Sequence, residues 1–231
     1  MHSKDVMTTN VVTVGPDTDV RAIARSLIER GISAVPVVDH AGHVIGIVSE
    51  GDLMRRAEAG TERRPSWWLE LLASPEEKAR DYAKSHGLTA KDVMSRPAVT
   101  VAEDAPLGEV ATLLERHRIK RVPVVRDGAI VGIVSRANLL HGLVAKEAAP
   151  AVTADDAGIR EQVAAGIEAA GITEPYVNVV VADGIVQIWG FVGSEAEKAA
   201  IRIAAETVPG VKAVQNNVAV GTNPALRGGW A

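Results

Sequence analysis

The apolar positions of this chain follow one pattern twice, and the two copies keep a nearly constant offset. In the first copy, runs of β-branched residues predict three short strands, at residues 11–14, 35–38 and 44–48. Apolar residues at helical spacing from Val20 to Ile28 predict a helix after the first strand, and Gly51 begins another helix after the third. Each copy therefore has the predicted order β-α-β-β-α. A unit of about fifty residues cannot easily close its own core, so we expect the copies to pack together.

The two copies are also alike in sequence. Blocks of the first copy return at corresponding places of the second, namely residues 4–7 at 91–94, 35–38 at 122–125 and 46–49 at 132–135. The second copy lacks one residue in the turn at Asp127-Gly128, which changes the offset once. The repetition puts equivalent residues on both copies, and we expect function where the copies meet.

A different pattern begins at residue 155. The predicted elements are, in order, a helix from Asp155, strands at 177–182 and 185–192, a helix after the capping pair Ser194 and Glu197, and a strand at 211–220. Asp183-Gly184 joins the first two strands and is the strongest two-residue hairpin signal. In the second strand Val186 and Ile188 alternate with Trp189 and Phe191. One pair therefore faces the core, and the other forms either an interaction patch or a packed second layer.

These patterns predict an α/β (α+β) chain with several segments. The predicted bounds are 1–56 for the first repeat, 57–90 for a helical insert, 91–142 for the second repeat, 143–154 for a linker, 155–222 for a small α-β-β-α-β domain and 223–231 for a flexible tail. The insert carries Trp67 and Trp68, which are either core residues or a protein-protein contact. The contact is a reasonable hypothesis, because two complete repeats leave little core for an insert to enter.

Composition and charge narrow the class of protein. The formal net charge of −4 argues against nucleic acid as a partner, because binding to phosphates needs a surplus of Lys and Arg. The chain has no cysteine and its histidines are scattered, so no metal site is predicted. The chain shows neither a signal peptide nor a run of apolar residues long enough to cross a bilayer, so we expect a cytoplasmic protein. No catalytic constellation, P-loop or dinucleotide fingerprint is found, and we expect no enzymatic activity.

The repeated blocks resemble the cystathionine-β-synthase (CBS) domain, and the two copies together resemble a CBS pair, or Bateman module. The blocks that carry the resemblance are residues 12–14, 35–39 and 46–53, with counterparts at 99–101, 122–125 and 132–139. The segment from Asp155 resembles a BON domain, through residues 181–190 and 208–214. Together these resemblances leave the insert and the tail unassigned.

The CBS resemblance implies binding of an adenine nucleotide or a related adenosyl compound in clefts between the repeats. It implies that Ser49 and Asp52 bind the ribose in one cleft, and Ser135 and Asn138 in the other. A carboxylate can accept hydrogen bonds from both ribose hydroxyls. Asn138 replaces the expected Asp, and residues 32–35 offer it no cation, so we expect a weaker or empty second site. The alternative for Asp52 is that it only caps a helix.

The same resemblance implies the phosphate and adenine contacts. Lys120 and Arg121 are the implied phosphate-binding residues of the Asp52 cleft, and the alternative for them is a solvated surface pair. The residues implied for the adenine pocket are Val12, Thr13, Val35, Pro36, Ile119, Val122 and Pro123. Two cations favour a phosphorylated ligand. No cofactor is required, and we expect Mg²⁺ only together with a polyphosphate.

These inferences predict a regulatory sensor. Its adenosyl ligand would change how the BON-like domain, or the insert with Trp67 and Trp68, engages a protein partner. The CBS resemblance also implies a homodimer. The alternative is a dimeric scaffold without a small ligand, whose BON-like domain contacts a membrane or another protein. The net negative charge weakens binding to anionic lipid.

Overall fold

The computed structural model of this chain describes residues 1–54, 74–148, 154–172 and 177–221. Trp67, Trp68 and the predicted tail at 223–231 lie outside the described residues. The chain forms two compact units. The first unit is Val12–Ala98, and the second unit combines Met1–Val11 with Val99–Ala231. The combination of helices with sheets confirms the predicted α+β class.

The helices and strands were mostly predicted in the right order. In chain order, those described are α1 (Ser3–Val6), α2 (Val20–Glu29), β1 (Ala34–Val38), β2 (Val44–Ser49), α3 (Glu50–Leu53), α4 (Pro75–His86), α5 (Ala90–Val93), β3 (Val101–Ala102), α6 (Leu107–Arg116), β4 (Arg121–Arg126), β5 (Ala129–Ser135), α7 (Arg136–Ala148), α8 (Ala154–Ala169), β6 (Asn178–Ala182), β7 (Ile185–Val192), α9 (Glu195–Glu206) and β8 (Ala213–Val220).

In the first unit, strands β1 and β2 form an antiparallel hairpin against helix α2. Asp19 begins α2, because its carboxylate accepts hydrogen bonds from the amides of Arg21 and Ala22 at 2.8 and 3.3 Å. The apolar stripe of α2 is buried against the hairpin. The buried core of this unit consists of Val20, Ile23, Leu27, Val35, Val37, Val48, Ala90, Val93 and Met94.

The strand predicted at 11–14 is wrong apart from one residue. Val14 forms a single parallel bridge with Val37, and its amide and carbonyl bond with the two neighbours of Val37. The next hydrogen bond of a parallel ladder would need the amide of Pro16, which has none. The second repeat has no proline there and forms the short strand β3, which pairs with β4.

In the second unit, the sheet order is β3-β4-β5, with β4 and β5 antiparallel. Helix α1 from the N terminus belongs to this unit, where Thr8 forms a bridge with Ile133. In the first unit, α5 takes the equivalent place, and Ser95 forms a bridge with Ile47. Each compact unit therefore contains the first helix of the other sequence repeat. The predicted repeat bounds, which follow the sequence alone, did not include this exchange.

Helix α7 corrects the predicted linker. It continues to Ala148, so residues 143–148, which were predicted as the start of a linker, are helical. Alanine, leucine, lysine and glutamate favour a helix, and the alanine-rich composition was mistaken for a linker. Ala145 is 1% exposed and belongs to the core of the second unit, so packing holds α7 beyond the predicted start of the linker.

The C-terminal domain is part of the second unit and has the sheet order β6-β7-β8. Its core forms between the sheet and helices α8 and α9, and Val186 and Ile188 are fully buried there. The predicted hairpin turn is present, with positive φ angles of 48° at Asp183 and 72° at Gly184. Trp189 lies on the opposite face and packs against the core of the second repeat. Of the two alternatives for that face, the packed second layer is therefore the correct one for Trp189.

Candidate functional site

The site predicted around Asp52 forms where strand β2 passes into helix α3. Ser49 is the last residue of β2 and the N-cap of α3, and Asp52 is the third residue of that helix. Oδ2 of Asp52 accepts hydrogen bonds from the amide and the hydroxyl of Ser49 at 2.9 and 2.7 Å. Asp52 therefore caps the helix, as the alternative interpretation held, and the same contacts orient its carboxylate.

The second oxygen of Asp52 is held by residues that the sequence did not reveal. Oδ1 accepts a hydrogen bond from Nζ of Lys84 at 2.5 Å and one from Oγ of Ser95 at 3.2 Å. Lys84, which lies on helix α4, also donates to Oγ of Ser95 at 3.3 Å. The Asp52 side chain is 8% exposed and that of Lys84 is 32% exposed. Asp52 is therefore a buried carboxylate with a cationic partner near the surface.

Asn138 occupies the equivalent place in the second unit. Its second polar atom is a nitrogen that donates, whereas the second oxygen of Asp52 accepts. Its Oδ1 accepts from the amide and the hydroxyl of Ser135 at 2.7 and 2.6 Å, as Asp52 accepts from Ser49. Its Nδ2 donates to the carbonyl of Val6 at 3.0 Å and to Oγ1 of Thr8 at 3.4 Å. An aspartate at this position could not donate to that carbonyl.

The hydroxyls next to Asp52 and Asn138 have a signal in the sequence. Thr8 and Ser95 each follow one copy of the repeated block Lys-Asp-Val-Met, so both copies place a hydroxyl beside the residue predicted to bind ribose. Lys84 has no such counterpart. It is one basic residue on a strongly polar helix, and its spacing gives no indication of its partner.

The C-terminal domain binds to the same N-terminal segment that Asn138 contacts. Nδ2 of Asn178, the first residue of β6, donates to the carbonyl of Val6 at 2.9 Å. Arg160 on α8 donates through Nη2 to the carbonyl of Met7 and through Nε to that of Val179 at 2.9 Å. Burial lowers the pKa of Arg160, and the nearby Asp5 opposes this shift. The contact between the second repeat and the C-terminal domain is therefore polar as well as apolar.

His141 completes this contact. Its ring is stacked on that of Trp189, with centroids 4.4 Å apart and planes 2° from parallel. Its Nδ1 lies 3.1 Å from Oδ1 of Asn178. Burial lowers the pKa of His141 from its ordinary value, and the hydrogen bond with Asn178 acts against this shift. None of Asn178, Arg160 and His141 was predicted as a functional residue.

The predicted phosphate and adenine residues have varied surroundings. Lys120 is exposed, and Arg121 on β4 lies opposite Ser135 on β5. Val35 and Val122 are 0% exposed and belong to the cores of the first and second units. The adjacent Pro36 and Pro123 are buried as well. The pairing of Lys120 and Arg121 with Asp52 stays a prediction, as does the adenine pocket.

Within residues 1–54, 74–148, 154–172 and 177–221, no three His, Cys, Asp or Glu side chains gather in a way that could hold a metal ion. None of the helices described above combines the length and apolar character that a membrane crossing requires.

Comparison with known proteins assigns the repeats and the C-terminal domain. The family model of the CBS domain matches residues 4–59 and 90–145, and that of the BON domain matches residues 155–222. The chain belongs to the CBS-domain family. It carries two CBS domains followed by one BON domain, which confirms both resemblances found in the sequence.

Several relatives share the CBS part. Over 156 residues, the chain is 31% identical to an uncharacterized protein of Methanocaldococcus jannaschii, covering 62% of this chain and 92% of that relative. It is 29% identical over 142 residues to the chloroplastic CBS domain-containing protein CBSX2 of Arabidopsis thaliana, covering 57% of this chain and 58% of that one. The crystal structure of CBSX2 in complex with AMP is similar with a TM-score of 0.54 and 27% identity, over 62% of this chain and 96% of that chain.

Proposed function

We propose that this protein is a regulatory sensor that binds an adenosyl ligand through Asp52 and transmits the occupancy of that site to a partner. The observation that carries the proposal is the buried carboxylate of Asp52, oriented by Ser49 at the start of a helix. It stands in a CBS pair whose relative CBSX2 was crystallised with AMP. A buried carboxylate beside a hydroxyl suits the two neighbouring hydroxyls of a ribose.

The two CBS domains differ in what this position offers. Asn138 uses both its oxygen and its amide nitrogen within the second unit, and two of its partners are the backbone of Ser135 and of Val6. Asp52 instead has a lysine partner on a long side chain. We therefore assign ligand binding to Asp52 first, with Lys120 and Arg121 as the phosphate-binding residues. Asn138 and Ser135 form the weaker second site.

The transmission step is supported by the way the BON domain is held. Asn178 and Arg160 bind the carbonyls of Val6 and Met7, in the segment that also contacts Asn138. A change at the Asn138 position would alter an acceptor that the BON domain uses. Coupling requires that the ligand bind two arrangements of the protein with different affinities. The remaining parts of the proposal are a homodimer, a cytoplasmic location, a protein partner and no catalytic activity.

Calorimetric titration of the full chain with AMP, ADP, ATP, NAD and S-adenosylmethionine tests the ligand. We expect a dissociation constant in the micromolar range, about −8 kcal/mol, for at least one of the five. Asp52→Asn is the matched variant, because Asn138 shows that an asparagine fits this helix start. It should weaken binding by at least about tenfold, and the double variant Lys120→Ala with Arg121→Ala should weaken only phosphorylated ligands. No binding by any of the five at millimolar concentration contradicts the proposal.

The second candidate is a scaffold whose BON domain contacts a membrane. Co-sedimentation of the full chain with vesicles of anionic and of neutral lipid distinguishes the two. Binding to vesicles without any nucleotide binding supports the scaffold. Light scattering measures the homodimer separately, and a monomer at high protein concentration would remove that part of the proposal.

A further inference from the structure

The four acceptor positions of the Asp52 carboxylate are all taken within the first unit. An ionised carboxylate has about four lone-pair sites, two on each oxygen. The amide and the hydroxyl of Ser49 take those of Oδ2, while Nζ of Lys84 and Oγ of Ser95 take those of Oδ1. A ribose that binds Asp52 must therefore displace at least one of these donors.

The donor that can leave most easily is Lys84. The contacts of Ser49 cap helix α3, so their loss would expose the amides at the start of that helix. Ser95 is part of the bridge to Ile47 on β2, which fixes its backbone. The ammonium of Lys84 is held by a flexible side chain that is 32% exposed, and it can exchange Asp52 for water.

We propose that Lys84 is an internal competitor of the ligand, which occupies the ribose-binding oxygen of Asp52 and is displaced when the ribose binds. This inference rests on the proposed function of Asp52. Lys84 lies near the end of helix α4, which contacts helices α3 and α5 of the first unit. Displacement of Lys84 would release one attachment of α4, so the helix would report whether the site is occupied. The Asn138 position has no such device, because a carbonyl and a hydroxyl of the second unit hold its amide.

Replacement of Lys84 tests the competition directly. We expect Lys84→Met to raise the association constant for AMP about five- to tenfold, because the ligand no longer has to displace an ion pair. Lys84→Gln, which keeps a neutral donor, should give a smaller increase. The control is Lys91→Met, which removes an ammonium from an exposed pair with Asp17 at 2.7 Å and should leave AMP binding unchanged.

Hydrogen exchange of the wild-type protein with and without AMP provides a second measurement, because a purely structural role of Lys84 predicts no faster exchange in α4 when AMP binds. In the wild-type protein, AMP should speed amide exchange in residues 75–86, and in Lys84→Met the exchange should already be fast without AMP. Suppose that AMP binds the wild type. If Lys84→Met then binds AMP equally or more weakly, or if AMP slows exchange in α4, the proposed competition by Lys84 is wrong. The proposal that the protein is a sensor is not affected by that result. If neither protein binds AMP or the other four ligands, both proposals fail.

Discussion

The side-chain amides of Asn138 and Asn178 donate to one and the same acceptor, the carbonyl oxygen of Val6, at 3.0 and 2.9 Å. Asn138 occupies the position of the second CBS domain that we propose for ribose binding, and Asn178 begins the first strand of the BON domain. A carbonyl oxygen has two lone pairs, so the two amides fill it. Neither amide can shift without changing the hydrogen bonding available to the other.

Replacement of Asn178 should loosen the BON domain. Asn178→Ala removes the donor to Val6 and the partner of His141 in a buried place, which should lower the free energy of unfolding by about 1–3 kcal/mol. Asn178→Asp should cost more, because a carboxylate would face a carbonyl that cannot donate. Urea denaturation measures both variants. Asn217→Ala is the control, since that amide is exposed and bonds only to the backbone of Gln215 among the contacts described. An Asp variant as stable as the wild type would contradict the shared acceptor.

Arg160 should be the strongest single anchor of the same contact. Arg160→Met keeps much of the aliphatic side chain and removes the donors to Met7 and Val179, so we expect a loss of about 2–3 kcal/mol. Arg160→Lys should recover only part of the lost free energy of unfolding, because one ammonium does not reproduce the two separated donors of the guanidinium. The control is Arg202→Met on α9, whose exposed pair with Glu206 should contribute at most about 0.5 kcal/mol. Equal losses for Arg160 and Arg202 would show that burial of Arg160 has no energetic role.

The stability of the protein should fall in mild acid because of His141. Burial lowers the pKa of this residue below its ordinary value of 6.5, so the unfolded chain takes up the proton first as the pH falls. The contribution of His141 to the free energy of unfolding is therefore fully present above pH 6.5. It is lost as the pH falls through the lower pKa of His141 in the folded state. Asn178 and Trp189 are the groups packed against the ring.

Urea midpoints at about pH 7.5 and about pH 5.5 measure this effect. His141→Gln should show a smaller decrease between the two pH values than the wild type. His117→Gln is the matched control, since His117 is exposed at the end of α6, and it should keep the decrease of the wild type. The assignment to His141 is wrong if both variants follow the wild type.

Local features of the fold could be predicted because the residues that determine them are neighbours in sequence. Asp19 caps α2, and the turn at Asp183-Gly184 takes the positive φ angles that such a pair favours. The strand expected at 11–14 failed because Pro16 removes the next donor of the ladder. The helix α7 was cut short in the prediction because its alanines were taken as a linker.

The candidate site could be predicted only in part, because its partners come from distant segments. Ser49 and Asp52 are three residues apart, and their contact follows from the capping pattern. Lys84 is 32 residues from Asp52, and Arg160 is 153 residues from Met7. No pattern of hydrophobic and polar positions in the sequence indicates that such distant residues are in contact. The first pair is brought together by the packing of α4 against α3, and the second by the docking of the BON domain on the second CBS domain.

Two glycines at equivalent places should resist substitution for the same reason. A Cβ atom at Gly132 would lie 2.3 Å from Sδ of Met7, and one at Gly46 would lie 2.2 Å from Sδ of Met94. Both methionines are 6% exposed, so little room is left for them to move. Each Gly→Ala change should therefore destabilise the protein by about 1–3 kcal/mol. Gly158→Ala on α8 meets nothing within 4 Å and should stabilise it by about 0.5–1 kcal/mol.

A double-mutant cycle shows whether the close approach to the methionine is the cause. Met7→Ala opens space next to Gly132, so Gly132→Ala should cost less in that variant than in the wild type. The pair Met94→Ala and Gly46→Ala should behave in the same way, because the exchange of first helices puts each methionine against the glycine of the other repeat. Thermal or urea denaturation of the four proteins of each cycle gives the coupling. If Gly132→Ala costs the same with Met7 and with Ala at that position, the substitution acts through the backbone of β5 and not through the methionine.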